Sequence, residues 1–310
     1  MRIGIDLGGT KIEAIVLDDA GAVPFRERRP TPRDDYAATV DAIVDLVRTA
    51  ERAVGRTATV GIGMPGAISP ATGLVKNANS TWLIGHPLDR DLARQLGRPV
   101  RLANDANCFA LSEASDGAAA GAEVVFGVIV GTGCGGGVVV GGHVLTGPNA
   151  IAGEWGHNPL PWPAPEEYPG PPCYCGKRGC LETFLSGPGL VRDYATAAGV
   201  SPRGITGADV VARAGAGDTA ATAALERYAH RLARGLATVI NVLDPDVIVL
   251  GGGVSNVAML YEAVPRWLGE FVFSDRVTSR LVPPMHGDSS GVRGAAWLWP
   301  PQNTTITAPA

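Results

Sequence analysis

The residues with the most specific chemical spacing are His157, Cys173, Cys175 and Cys180, the last three inside Cys173-Tyr174-Cys175-Gly176-Lys177-Arg178-Gly179-Cys180. One imidazole and three thiolates make a complete tetrahedral donor set for Zn2+, and Gly176 and Gly179 permit the tight wrap that such a compact core needs. Four protein ligands leave no open position for water, so the predicted ion is structural rather than catalytic. It would fix a loop carrying Glu154, His157 and Glu182 and set the two carboxylates beside each other, where they can accept from or bridge the hydroxyls of a polyhydroxylated ligand. Glu154 and His157 are three apart and share a face if their segment is a helical turn. Cys108 and Cys134 read as core or turn residues outside the metal set.

A second chemistry lies in Asp6-Leu7-Gly8-Gly9-Thr10-Lys11. Gly8 and Gly9 let backbone N–H groups converge on an anion, Thr10 and Lys11 add a hydroxyl and a cation, and Asp6 can hold Mg2+ through water. Alone this is an ordinary hairpin turn. A matching run, Gly131-Thr132-Gly133-Cys134-Gly135-Gly136-Gly137, suggests two glycine turns that grip the phosphates of one nucleotide from both sides, with Gly251-Gly252-Gly253 a flat approach for adenosine. The G-x-G-x-x-G at Gly131, Gly133 and Gly136 is not a dinucleotide fingerprint. That motif opens a helix, whereas Val138-Val139-Val140 reads as a strand. No G-x-x-x-x-G-K-[ST] occurs.

The third candidate is Asn104-Asp105, directly after an apolar run. An acid there begins a helix and feels its positive dipole end. The plain alternative is an N-cap. The functional reading is a base that orients a substrate hydroxyl and accepts its proton during phosphoryl transfer, with Asn104 bonding a neighbouring hydroxyl. A loose transition state asks for positioning and late proton acceptance more than for prior deprotonation, which suits a carboxylate.

The elements that must position these residues follow from periodicity. Ile3–Leu7 and Ile12–Leu17 read as a strand pair. Val40, Ile43, Val44, Val47 and Val54 fall at helical spacing within Thr39–Val54. Strands are predicted at Val60–Met64 and Val100–Ala103, with a helix from Asn104-Asp105. The opening pattern returns as Val125–Val130, a glycine turn, and Val138–Val140. Pro159–Pro172 is irregular, because proline lacks the donor that helices and sheets require. A long helix spans Thr219–Leu243, Val247–Leu250 is a buried strand, a last helix lies near Val292–Leu298, and the chain from Pro300 reads as a disordered tail.

At 310 residues the chain is long enough for two cores with a cleft between them. Charged residues are 18% with a net charge of −4 and no basic run, which argues against nucleic acid or a membrane surface as partner. No apolar stretch approaches the roughly 18 residues of a membrane helix. The first residues enter a strand with neither secretory signal nor presequence, so the expected compartment is the cytoplasm, where thiols stay reduced and a cysteine cluster favours metal.

Taken together, Ile5–Lys11, Asn104–Asn107, Gly131-Thr132-Gly133, Glu154-Trp155-Gly156-His157, Cys173–Glu182 and Asp246–Gly253 resemble the ROK family of sugar kinases and related repressors, within the actin-like, Hsp70-like and hexokinase-like superfamily. The resemblance covers the chain to about Trp299. It implies an α/β fold of two ribonuclease-H-like lobes, ATP with Mg2+ between them, Asp105 as base, and sugar contacts from Asn104, Glu154, His157 and Glu182. It also implies a homodimer. The lobes are expected at 1–116, completed by a helix at 291–299, and at 117–290, carrying the zinc loop 157–180, with a tail at 300–310. Lys76–Trp82, Gly153–Trp162 and the ending Gly287–Trp299 look most like bacterial fructokinases that also accept mannose. The segment Asn79–Trp82, which places Asn79 at the sugar, is one residue shorter than the loop common in glucose-type members. The resemblance therefore points to fructose 6-phosphorylation, with glucose, mannose or N-acetylhexosamines as same-family alternatives. A non-catalytic sugar sensor is the different-class alternative. Intact Asp105 and both glycine turns speak against it, and no helix-turn-helix fits before Ile3.

Overall fold

The computed structural model describes residues 1–301; the expected tail falls almost wholly on residues 302–310, outside the described residues. The chain opens with β1 (Arg2–Leu7), β2 (Lys11–Leu17) and β3 (Phe25–Pro30). Helix α1 (Tyr36–Val54) follows, its first turn capped by the Asp35 carboxylate accepting from the Ala38 N–H and its end closed by Gly55 at φ 69°. The helix starts three residues before the expected Thr39, because the cap and not the first apolar residue sets the start. Its face Val40, Ile43, Val44 and Val47 packs onto the sheet with Ile3, Ile5 and Ile62. Next come β4 (Thr59–Met64), the hairpin β5 (Ala67–Ile68) and β6 (Val75–Lys76), α2 (Leu88–Leu96), β7 (Val100–Asn104) and α3 (Asp105–Asp116). The sheet order is β3-β2-β1-β4-β7, antiparallel across the first two pairs and parallel across the last two.

The pattern then repeats. Strands β8 (Val124–Val130), β9 (Cys134–Val140) and β10 (His143–Val144) are followed by α4 (Leu181–Leu185), α5 (Gly187–Ala198), α6 (Gly207–Gly215), α7 (Thr219–Leu243), β11 (Val247–Gly251), α8 (Leu260–Phe271), β12 (Arg280–Val282) and α9 (Ser290–Trp297). The order β10-β9-β8-β11-β12 reproduces the first sheet strand for strand. A core built on Phe126, Leu181, Tyr228, Leu232 and Leu250 joins α4 to α8 to this second sheet. Among the described residues no helix is long and apolar enough to cross a membrane.

Helix α3 joins the two halves, and missing side chains make this possible. A Cβ at Gly127, Gly137 or Gly251 would strike Ala110, the Ala106 carbonyl or the Phe109 ring. The second sheet therefore lies directly on α3. On the other side α9 is pressed against α3 and the first sheet, since a Cβ at Gly294, Gly4 or Gly61 would run into Cys108, Val292 or Ala295 backbone. At this density an added methylene forces backbone movement. The N-terminus of α3 is thus held at the junction of the lobes. Its other end is tied by buried Glu113, which accepts from the Ala118, Met285 and His286 N–H groups and the Ser290 hydroxyl, so one carboxylate holds the crossover into α9.

Candidate active site

The site is built outward from the first turn of α3. Asn104 caps it, its Oδ1 accepting from the Ala106 N–H at 2.8 Å while Nδ2 donates to the Gly66 carbonyl at 3.4 Å. The Asp105 carboxylate accepts from the same N–H at 2.8 Å. It opens to the cleft but is crowded by protein on its other sides. That crowding, reinforced by the Glu154 charge, raises its pKa, and the Ala106 N–H partly offsets the rise. Asp6, near the end of β1, is pushed up to about 6 by burial first, then by the charges of Asp105 and Glu13. Two carboxylates that resist ionising in one cleft are the pattern expected where charge is to be taken up.

Three cavities meet here. One of about 330 Å³ is lined by Asp6, Gly8, Gly9, Asn79, Asp105, Gly252, Ser255 and Asn256. One of about 1030 Å³ runs from Gly131, Thr132, Gly253 and Asn256 outward between α5 and α6, over Leu190, Val191, Ile205 and Val211. Asn256 borders both, so the first continues into the second. The small space suits phosphates and the apolar one a nucleoside. The third, about 120 Å³, lies on the other side of the α3 N-terminus and is lined by Asn104, Asn107, Thr146, Ile151 and Glu154 together with Met64 and Ile68. Consecutive residues Asn104 and Asp105 thus face different cavities.

Several expected positions are corrected. The glycine run 131–137 is not one turn: β9 begins at Cys134, paired with Val130, so only Gly131-Thr132-Gly133 turns. Cys134, Gly135, Gly136 and Gly137 are strand residues. Gly136 is glycine because Trp155 and the Gly153 carbonyl lie against it, and Gly137 because Ala106 does. Gly251 belongs to β11 against Phe109, which leaves Gly252, at φ 82°, and Gly253 at the cavities. Thr10 and Lys11 are exposed and line none of the three spaces, whereas Gly8 and Gly9 do. Glu182 is tied to the second turn, its Oε2 accepting from the Cys134 N–H at 3.0 Å. The Glu182 and Glu154 carboxylates both act on the Tyr174 hydroxyl, whose pKa rises to about 12 through burial and then their charge. Asn79 faces the phosphate-sized cavity.

Glu154 precedes a short 3-10 turn, Trp155–His157, whose i, i+3 eclipse puts Glu154 and His157 on one side. Buried Trp155 anchors the turn, donating to the Gly135 carbonyl at 3.0 Å and meeting Phe126 edge to face. His157, Cys173, Cys175 and Cys180 converge with their ligand atoms all within 4.8 Å of one another. Cys173 Sγ lies 3.6 Å from His157 Nδ1, and Cys175 and Cys180 sulfurs are 3.6 Å apart. These match the roughly 3.5–3.8 Å edges of a tetrahedron built on Zn–S and Zn–N bonds, and they are far longer than a disulfide. The donor set therefore fits Zn2+. The Cys173 N–H donates to the Lys177 carbonyl at 2.8 Å, and Gly176 and Gly179 sit at φ 86° and 70°. The proline-rich loop is held onto α7 by Glu167, which accepts from buried Arg231 and Arg234, so it braces the metal loop within the second lobe.

Sequence reasoning missed Asn107, Ser255, Asn256 and the apolar slot of α5 and α6. Asn107 was visible three residues after Asn104 on the same helical face; the slot residues carried only a core-like signal.

A profile of the ROK family matches residues 2–302. N-acetyl-D-glucosamine kinase of Photobacterium profundum is 40% identical over 302 residues, 96% of this chain and 99% of that protein. The enzyme of the same name from Pasteurella multocida is 41% identical over 304 residues, 96% of this chain and 99% of that protein. Among solved structures, the ROK hexokinase from Thermus thermophilus superposes with a TM-score of 0.84 at 35% identity, covering 96% of each chain. A ROK family glucokinase from Streptomyces griseus, in complex with glucose and AMPPNP, gives 0.76 at 29% identity, covering 96% of this chain and 98% of that one.

Proposed function

The chain belongs to the ROK family, and from that premise we propose that it is an ATP-dependent kinase of N-acetylhexosamines, transferring the γ-phosphoryl group to the 6-hydroxyl of N-acetyl-D-glucosamine. The observation that carries the kinase reading is the place of Asp105, at a helix N-terminus between the small pocket and the phosphate-sized cleft. The shared name of the relatives at about 40% identity supports the acceptor, and fructose gives way to it.

In this reading the sugar lies against Asn104, Glu154 and His157 with its primary hydroxyl donating to Asp105. As that oxygen bonds to the γ-phosphorus, the bond from the γ-phosphorus to the bridging oxygen breaks and its electron pair leaves with ADP, while the hydroxyl proton passes to the Asp105 carboxylate. The raised pKa makes Asp105 a better proton acceptor than a solvated aspartate, and the Ala106 N–H fixes its orientation. The Gly8 and Gly131 N–H groups close their own turns onto the Lys11 and Gly133 carbonyls, which leaves those of Gly9, Thr132 and Gly133 to meet the phosphates from opposite sides, so positioning and electrostatics supply most of the acceleration. Asp6 would hold Mg2+ through water, and the chemistry the ion would supply is dispersal of the negative charge on the phosphates. Zn2+ at His157 and the three cysteines would hold the loop that carries the sugar-facing groups.

ADP release measured with N-acetylglucosamine, N-acetylmannosamine, glucose, mannose and fructose tests this. The expected result is a kcat/KM for N-acetylglucosamine at least about tenfold above that for fructose. Fructose as best acceptor, or no turnover with any hexose, overturns it.

A further inference from the structure

The small pocket carries more than its place beside Asn104 requires. Its volume is about 120 Å³, the smallest of the three spaces and of a size that suits a small substituent. Part of the wall is hydrocarbon from both lobes: Met64 and Ile68 from the first, Ile151 and its alanine neighbours from the second. Asn104, Thr146, Glu154 and Asn107 add polar groups. The Asn107 Oδ1 is shielded from water and meets no donor among the described residues. A shielded amide oxygen without a donor costs about 1–3 kcal/mol relative to a bonded one, and turning the Asn107 side chain toward the neighbouring space would let a ligand donor relieve it.

We propose that Asn107 and the Ile151 loop form the subsite that recognises the acetamido group of the acceptor. The Asn107 side-chain amide pairs with the acetamide, and the acetyl methyl seats against Ile151 and Ile68. An amide complements an acetamide because each carries both a donor and an acceptor. A hydroxyl in the same place could share that polar contact, but it would leave the hydrocarbon walls unfilled. The loop is shaped for the purpose. Gly147 and Ala150 both have positive φ, at 73° and 52°, and Ala152 N–H donates to the Thr146 carbonyl at 3.2 Å, closing a compact turn. Across the cleft, Lys76 donates to the Asn149 carbonyl at 2.6 Å, tying the loop to the first lobe. The acetamido group would therefore be read by both lobes at once.

This inference rests on the acceptor proposed above, and the test separates the two. Full-length wild type, Asn107→Ala and Ile151→Ala are assayed for kcat/KM on N-acetylglucosamine and on glucose, which differ at the 2-substituent. The expected result is that the ratio of the two values falls roughly 10- to 100-fold in Asn107→Ala and several-fold in Ile151→Ala, mainly through KM for the acetamido sugar. Because glucose is measured on the same preparation, a folding defect lowers both values and leaves the ratio unchanged. A ratio within about twofold of wild type in both variants overturns the subsite and leaves the kinase reading standing. A wild-type enzyme with no preference for the acetamido sugar overturns the proposed acceptor, and the subsite with it.

Discussion

Asp6 gives a prediction whose size follows from its surroundings. Its pKa moves from 3.8 to about 6, chiefly because burial disfavours the anion and secondarily because Asp105 and Glu13 repel it. Folding must therefore ionise a reluctant group. For an acid whose folded pKa lies above its unfolded value, no penalty exists below the unfolded pKa. The penalty grows as pH rises between the two values and is complete above the folded one. Replacing the carboxylate in Asp6→Asn removes it. The ceiling on the gain is about 3 kcal/mol near pH 7.5 and roughly half that near pH 5. Water in the open cleft reduces both figures without changing their order. Urea unfolding at the two pH values, in buffer free of nucleotide and Mg2+ and without chelator, reads the gain directly. The expected variant is about 1–3 kcal/mol more stable than wild type near neutrality, less so near pH 5, and at least about 100-fold less active. A variant destabilised near neutrality, or stabilised equally at both pH values, would refute the claim that Asp6 is held ionised against its environment for catalysis.

Other expected outcomes follow from the same geometry. Cys175→Ser lowers zinc from about one ion per chain to near zero by elemental analysis, with loss of thermal stability and activity together; a fully active metal-free preparation contradicts the structural role of the ion. Gly137→Ala drives a methyl into the Ala106 carbonyl, shifts the first turn of α3, and lowers kcat by about 10- to 100-fold; wild-type turnover shows that this contact does not position Asp105. Glu113→Ala strands the N–H groups of Ala118, Met285 and His286 and the Ser290 hydroxyl, and costs about 3 kcal/mol or more in urea unfolding.

What was legible in the sequence was what local chemistry dictates. The cluster of His157, Cys173, Cys175 and Cys180, which converges in the fold, stood out because thiolates at that spacing would have few other uses in a reducing compartment. Asp105 stood out because a strand running into Asn-Asp fixes a helix start, and the cap bond from the Ala106 N–H is what that pattern encodes. The doubled sheet was visible as a doubled strand-turn-strand. Glycines were the source of error. A glycine leaves the same mark whether it turns the chain or yields to a neighbour, so Gly135, Gly136 and Gly137 looked like a phosphate turn when they are strand positions vacated for Ala106, Gly153 and Trp155. Strand β3, Phe25-Arg26-Glu27-Arg28-Arg29-Pro30, has no apolar alternation to announce it; buried Glu13, paired with Arg26 and Arg28, holds it at the edge. The small pocket proposed to read the acceptor was least legible, because it is lined by Ile68 and Ile151 from different lobes, and no local pattern records that meeting.

Asp105 is proposed to take the acceptor's proton at the junction of sugar and phosphate. Asp105→Asn, assayed for steady-state phosphorylation and for equilibrium binding of N-acetylglucosamine on one preparation, tests it directly. Sugar affinity within about threefold of wild type with kcat reduced about 10²- to 10⁴-fold is the result predicted; near-normal turnover would contradict it.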